Sequence, residues 1–124
     1  MPRHFLARIA LALAAAAPLA HAAPPIVFEN EGGRWETSLD RVIVKDDVGV
    51  VFFEVAAKSG GRKGGALAIL PVSECSKVRG TITVGFPPYN KYGYADYAFD
   101  KQGQKFIDAA GVATCMALVQ KLAP

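Results

Sequence analysis

The sequence predicts an α+β domain in which an antiparallel sheet of about five to seven strands carries one C-terminal helix, closed by one disulfide. Three observations lead to this fold class. Short runs of β-branched and aromatic residues, separated by Gly, Asn, Asp and Pro clusters, fill the chain from Ile26 to about Asp100. After Asp100 the apolar residues recur at helical spacing. The chain holds two cysteines, Cys75 and Cys115, an even number that is able to pair.

Two hairpins are predicted in the first half of the domain. The segments 26–29 and 34–38 flank the turn signal Asn30-Glu31-Gly32-Gly33, and Trp35 on the second strand is expected in the core. The segments 39–45 and 50–56 flank a second turn, Asp46-Asp47-Val48-Gly49. Because 50–56 is nearly all apolar, we expect both of its faces to be covered and place it at the centre of the sheet.

The second half of the domain contains three shorter strand signals. Segment 66–70 is apolar and stops at Pro71, and Cys75 follows in a loop. Segment 81–86 alternates strictly, which predicts that Ile82, Val84 and Phe86 face the core and the two threonines face outward. Residues 94–99 then return as a partner strand after a turn at 90–93.

A helix is predicted from Asp100, placed to cap it, to about Leu122. One stripe of this helix is expected to face the core, and it contains Ile107, Gly111, Cys115, Leu118 and Leu122. Gly111 costs about 1 kcal/mol relative to Ala in a helix, which a close approach of helix to sheet would explain. Between Ala109 and Val119 the one polar side chain is Thr114, so the helix is either deeply buried or covered by a partner.

Residues 1–22 are interpreted as a cleavable signal peptide, and 23–124 as a single small domain. Arg3 and Arg8 precede an Ala-rich apolar stretch, and Ala20-His21-Ala22 supplies the small residues of a cleavage site. The apolar stretch is well short of the roughly 20 residues that span a bilayer, so no membrane span is expected after cleavage. The protein is therefore predicted to be exported, either to a periplasm or to the medium, and the Ala-rich leader is typical of bacteria.

Charge and cysteine content support this interpretation. The mature chain keeps 12 Lys and Arg against 11 Asp and Glu, a net charge of +1, so clustered positive charge for nucleic-acid binding is not expected. In an oxidising compartment Cys75 and Cys115 should form a structural disulfide. Closing a loop of 40 residues would stabilise the domain by at most about 4 kcal/mol in the chain-entropy model.

The residue inventory excludes most catalytic chemistry, and we expect no enzyme, no metal and no cofactor. Both histidines, His4 and His21, lie in the leader, which removes histidine acid–base catalysis and imidazole metal sites. Carboxylates alone could still form a hydrolase pair. Among them Glu54 stands out, since it lies within an apolar strand where a neighbouring Arg or Lys, or contact with water, is the simplest explanation. The available carboxylates are Glu29, Glu36, Glu54, Asp96 and Asp100.

Two segments are candidates for binding. The glycine-rich stretch 58–65 offers Lys58, Arg62 and Lys63 for an anion, but it lacks the Gly-Lys-Ser/Thr ending of a phosphate loop, and a flexible connection is the simpler interpretation. Segment 86–99 holds all four tyrosines of the protein. Tyr97 and Phe99 are assigned to the core, and a contact patch is assigned to Tyr89, Lys91, Tyr92 and Tyr94. Tyrosine is also a good strand former, so a scaffold role for the patch stays open.

Three function classes follow from this inventory. The first is an exported binding or inhibitor-like module that recognises an envelope or extracellular protein, or an envelope glycan, through the tyrosine-rich hairpin. The second is a structural or assembly subunit of an envelope complex that docks through its apolar C-terminal helix. The third is a carboxylate-only hydrolase, which needs two acidic groups in one pocket. The sequence makes no prediction of the oligomeric state.

Overall fold

The computed structural model describes residues 24–30, 33–57, 63–86 and 93–123, except for the side chains of Asn30 and Lys63. These residues form a seven-stranded antiparallel sheet with one C-terminal helix, which confirms the predicted fold class. The leader lies outside the described residues. The elements in chain order are β1 (Ile26–Asn30), β2 (Gly33–Thr37), β3 (Val42–Lys45), β4 (Val48–Ala57), β5 (Lys63–Pro71), β6 (Arg79–Gly85), β7 (Tyr94–Asp100) and α1 (Phe106–Leu122).

The longest strand, β4, lies at the centre of the sheet, as predicted. The strand order is β1-β2-β4-β5-β6-β7, and β3 also pairs with β4. Both β2 and β3 lie along the same side of β4, where β2 faces 54–57 and β3 faces 48–51. Residues 39–41, which the sequence assigns to a strand, form a 3-10 turn between them. The Thr37 hydroxyl bridges this interruption by donating to the Phe52 carbonyl at 2.7 Å.

The β3–β4 hairpin is tighter than its sequence suggests. Only Asp46 and Asp47 form the turn, with φ of 51° and 64°, and Val48 and Gly49, predicted as turn residues, already belong to β4. Two central residues with positive φ match the right-handed twist of the flanking strands, and Asp tolerates that conformation better than most residues. A four-residue turn was therefore the wrong prediction at this hairpin.

The segment around β5 also differs from the prediction. Lys63, Gly64 and Gly65 belong to β5 and pair with β4, so the predicted loop is shorter at its C-terminal end, and Lys58 and Arg62 lie outside the described residues. A 3-10 turn, Val72–Ser76, follows the strand and holds Cys75. The predicted disulfide is confirmed: Cys75 and Cys115 are bonded with their Cα atoms 5.4 Å apart.

The helix begins later than predicted. Asp100 is the last residue of β7 and does not cap α1; its carboxylate accepts from the Gln102 amide at 2.8 Å and from Arg79 at 3.2 Å. The N-terminal turn of α1 is organised by Asp108, which accepts from the Lys105 amide at 2.9 Å and from the Asp100 amide at 2.8 Å. One buried carboxylate thus ties the end of the sheet to the start of the helix.

The sheet curves around α1, because α1 contacts both β1 and β7, the two ends of the strand order. Close approach is possible at Gly111, where a Cβ would lie 2.4 Å from the Phe99 ring, and at Gly49, where it would lie 2.3 Å from Leu118. An aromatic cluster packs near the first turn of α1, with ring centroids 5.1 to 5.8 Å apart. It consists of Phe28, Trp35, Phe53 and Phe106.

The core assignments were right for most strand residues and wrong for Phe86, Tyr97 and Leu122. Trp35, Ile82, Val84 and Phe99 are buried, as predicted. Phe86 is 41% exposed because β6 ends at Gly85, although its ring stays 6.1 Å from that of Trp35. Tyr97 is 43% exposed, because it projects from the outermost strand. On the predicted helix stripe Gly111, Cys115 and Leu118 are buried, Ile107 is half-buried, and Leu122 in the last turn is exposed.

Glu74 links the 3-10 turn to β6. Its carboxylate accepts from the Thr81 amide at 2.9 Å and forms an ion pair with Lys77. The hydrogen bond from Lys77, followed by the one from Thr81, lowers the pKa of Glu74 from its ordinary value of 4.5. A carboxylate that is stabilised in its charged form in the native state stabilises the fold at neutral pH.

Replacing Gly111 by Ala should destabilise the protein, although Ala is the better helix former. The gain of about 1 kcal/mol in helix propensity is outweighed by the collision with the buried Phe99 ring, and we expect a net loss of about 1–2 kcal/mol. Urea unfolding measures the effect. Gly64→Ala is the matched control, because a Cβ there meets nothing within 4 Å. Equal stability of the two variants would contradict the close approach of α1 to β7.

Glu74→Gln should make the stability less dependent on pH in the acid range. Because the native pKa of Glu74 is lowered, its contribution is complete above 4.5 and is lost as the pH falls through the lowered value. The urea midpoint of the wild type should therefore fall more steeply below pH 4.5 than that of the variant. Glu29→Gln, which removes a charge from exposed Glu29 on β1, serves as control, and an identical slope for all three proteins would refute the role of Glu74.

Candidate functional site

One face of the sheet carries α1, and no element among the described residues packs across the other face, which we call the open face. Successive residues of a strand alternate between the two faces, and antiparallel partners share a face. On β4 the residues Val51 and Phe53 are buried toward α1, so Val50, Phe52 and Glu54 lie on the open face. The sequence predicted that both faces of β4 are covered. Among the described residues, only the face toward α1 is covered by another element.

A row of residues crosses four strands on the open face. Tyr94 on β7 is opposite Gly85 on β6, Gly85 is opposite Leu67 on β5, and Leu67 is opposite Phe52 on β4. The Tyr94 ring lies over Gly85, where a Cβ would come within 2.0 Å of the ring. An aromatic ring thus covers the backbone of a strand glycine, and Tyr94 itself remains 47% exposed.

A second row lies beside the first and extends the apolar surface toward β3. Ile69 on β5 pairs with Val50 on β4, and Val50 pairs with Ile43 on β3, whose side chain is 64% exposed. At the β6–β7 end of this row the Thr83 hydroxyl donates to Asp96 at 2.6 Å. The two rows together form a contiguous apolar patch with a polar end at β7.

Charged groups flank the patch on the β2 side. The guanidinium carbon of Arg41 lies 5.5 Å from the centroid of Phe52, within the range of a cation–π contact. Glu36 and Glu54 are directly opposite each other on β2 and β4, and Arg34 pairs with Glu36 at 3.4 Å. These three residues and Ala56 line a depression of about 280 Å³. Glu54 thus shares this depression with Arg34.

The residues assigned to the contact patch are divided by the structure. Tyr94 is exposed and lies on the open face, whereas Tyr89, Lys91 and Tyr92 lie outside the described residues. Tyr97 was assigned to the core and projects instead as an exposed side chain on the face that carries α1. Of the anion-loop candidates, Lys63 belongs to β5, and its side chain lies outside the described part of the structure.

Phe52, Leu67 and Ile69 were not among the predicted site residues. The strand that contains Phe52 was expected to be covered on both faces, and 66–70 was predicted only as a short apolar strand. The predicted numbers of strands and helices could have indicated these residues. One helix covers only one face of a sheet, so a domain with seven strands and one helix leaves apolar residues on the other face.

The acidic residues are distributed rather than clustered. Glu36 and Glu54 face each other, whereas Asp96 bonds Thr83 and Asp100 bonds Arg79. The hydrogen bond from the Gln102 amide, aided by Arg79, lowers the pKa of Asp100, which favours a charged structural role over that of a proton donor. Across the described ranges no group of three or more His, Cys, Asp or Glu is arranged to hold a metal ion.

Two apolar depressions adjoin α1. The first, which we call the β1 groove, has a volume of about 520 Å³ and runs between Ile26–Phe28 on one side and Ala109, Val112 and Met116 on the other. The second, of about 340 Å³, lies between the disulfide and the outer surface of α1 at Val119. Met116 and Val119 are 48% and 61% exposed, so part of α1 is apolar and uncovered by described residues.

Comparison with known proteins supplies no relative. No protein-family model, no curated protein and no solved structure matches the chain. Within the part of the chain that the structure describes, no helix has the length and hydropathy that a bilayer crossing requires.

The contact between Tyr94 and Gly85 should be measurable as an energetic coupling. Gly85→Ala forces the Tyr94 ring off the strand and should cost about 1 kcal/mol or more. In a Tyr94→Ala background the same change should cost close to nothing, because the added methyl group no longer meets a ring. Urea unfolding of the wild type, both single variants and the double variant gives the coupling. Additive effects would show that the ring does not rest on Gly85.

Proposed function

We propose that the protein is an exported binding module that recognises a protein or an envelope glycan with the open face of its sheet and the adjoining tyrosine-rich segment. The observation that carries this proposal is the row Tyr94, Gly85, Leu67 and Phe52, which brings the described end of the tyrosine-rich segment into contact with an apolar patch. Tyr94 is exposed, and Leu67 and Phe52 are half-buried. A contiguous, partly exposed apolar surface with a polar rim is typical of interaction sites on small soluble domains.

The composition of the patch suits contact with a partner. Tyr94 offers a large, rigid ring and a hydroxyl, and both can contact a partner with little loss of conformational entropy. Arg41 is held over Phe52, and arginine and tyrosine are among the residues that contribute most to binding energy at interfaces. Tyr89, Lys91 and Tyr92 precede Tyr94 within five residues of the chain, and the proposal includes them in recognition.

The frame of the patch also supports recognition. Its residues lie on paired strands rather than on loops, and the disulfide anchors the helix behind them. Side chains fixed by a sheet lose less freedom on binding than side chains on flexible segments, so more of the contact energy is available for affinity. A catalytic role lacks such support, and the carboxylate-only hydrolase stays a prediction of the sequence.

Tyr94→Ala and Ile43→Glu should each abolish retention of the ligand without unfolding the protein, since both side chains are largely exposed. The purified protein is immobilised and incubated in parallel with a purified envelope glycan and with a detergent extract of envelope proteins. Tyr97→Ala and Val78→Glu are the matched controls, because Tyr97 is an exposed tyrosine on the other face of β7 and Val78 is an exposed valine before β6.

Loss of one retained species in both open-face variants, with retention by both controls, would support the proposal. A double variant, Tyr89→Ala with Tyr92→Ala, shows whether the tyrosine-rich segment contributes to the same surface. Equal retention by all variants, or retention of nothing by the wild type from either preparation, would refute recognition through the open face.

The second candidate is an assembly subunit that docks through α1. The specific observation in its favour is the exposure of Met116, Val119 and Leu122 on the outer surface of the helix. It predicts that Val119→Glu together with Leu122→Glu prevents incorporation into a larger complex, while Tyr94→Ala has no effect. Sedimentation of envelope extracts that contain the wild type or either variant distinguishes the two candidates.

A further inference from the structure

We propose that the β1 groove is a second binding site, which takes an extended, uncharged peptide segment of another protein by strand addition to β1. The groove is about 520 Å³ in volume and lies between an outermost strand and a helix. This arrangement supplies main-chain partners on one side and apolar side-chain contacts on the other, as peptide addition to a sheet edge requires. The site is separate from the open face and goes beyond the function proposed for that face.

The outer edge of β1 is the side of the groove that would supply main-chain hydrogen-bond partners. On its inner side β1 pairs with β2 over Ile26–Asn30, and no described segment pairs with its outer side. Alternate residues of such a strand direct their N–H and C=O groups outward, and these groups form a template for another extended chain. Pro24 and Pro25 precede the strand and lack amide protons, so pairing is confined to about the five residues of β1.

Apolar residues of α1 form the opposite wall of the groove. Ala109, Val112 and Met116 recur along α1 at intervals of three and four residues and line the groove opposite Ile26 and Phe28. A peptide added to β1 would direct every second side chain toward this wall. Met116 is 48% exposed, and its flexible thioether can adjust to apolar groups of different shape.

The charge of the groove indicates which kind of segment it accepts. Asp108 is the one ionisable residue among the described residues that line it, and its oxygens already accept from the Lys105 and Asp100 amides. No Lys or Arg is among the described residues that line the groove, so a fatty-acid headgroup, a phosphate or a chain-terminal carboxylate would meet no counter-charge from them. An internal, uncharged stretch of chain with apolar side chains at alternate positions avoids that cost.

The packing of β1 favours a peptide over a second copy of this chain as the occupant of the groove. In β1 the side chain of Ile26 is 6% exposed, and the Phe28 ring packs against Trp35, Phe53 and Phe106. A copy that paired through its own β1 would bring side chains already packed beneath its own helix, and both grooves would stay unfilled. A peptide that is unpacked before binding brings free side chains, and these can fill the groove.

A library of random nonapeptides displayed on phage tests the proposal. It is selected on exported protein, and the enriched peptides are synthesised and measured by fluorescence anisotropy. We expect apolar residues at alternate positions in these peptides. Met116→Glu should weaken binding about tenfold or more, as loss of a buried contact and introduction of a charge usually do. Val78→Glu makes the same kind of change outside the groove and should leave the affinity unchanged.

Backbone pairing is tested by methylating the peptide amides one at a time. If the peptide pairs with β1, methylation at every second position should abolish binding, and methylation at the intervening positions should have little effect. Binding should also slow hydrogen exchange at amides within Ile26–Asn30. Equal sensitivity at all positions, or exchange unchanged in β1, would overturn strand addition.

Other outcomes also contradict the proposal. Enrichment of no sequence, or of peptides that bind Met116→Glu as well as the wild type, would show that the groove is not a peptide site. Peptides lost in Tyr94→Ala but not in Met116→Glu would support the open face and refute the groove, so the two proposals fail separately. A wild-type dimer that becomes monomeric in Met116→Glu would assign the groove to a second copy.

Discussion

The position of α1 across the sheet is the constraint on which the rest of the structure depends. Gly111 lets the helix approach Phe99 on β7, and Gly49 makes room for Leu118 over β4. The disulfide from Cys115 to Cys75 ties the middle of the helix to the turn between β5 and β6. With the helix this close, the strands at both ends of the sheet reach it, and the sheet curves to enclose it.

The same constraint leaves apolar surface uncovered. A helix of 17 residues is about 26 Å long and lies on one side of the sheet, so Phe52, Leu67 and Ile69 on the other side are covered by no described element. Burying apolar area yields roughly 25 cal/mol per Å², which is a driving force that a partner can use. These half-buried residues are the basis of the binding proposed for the open face.

The two proposed surfaces belong to different parts of the same frame. The open face is built from the central strands and ends at β7 with Tyr94, whereas the β1 groove lies at the other end of the strand order beneath α1. The two proposals also rest on different chemistry: side chains on the open face, and backbone at the edge of β1.

The sequence by itself determined the local and compositional properties: the strand and helix classes, the central place of β4, the pairing of Cys75 with Cys115 and the lack of histidine after His21. Only the tertiary structure decided that α1 starts at Phe106, that Tyr97 and Phe86 are exposed, and that Glu36 faces Glu54. The physical reason is that periodicity along one strand specifies which residues share a face. Which face is covered, and where an edge stays unpaired, depends on register between strands and on the reach of a single helix.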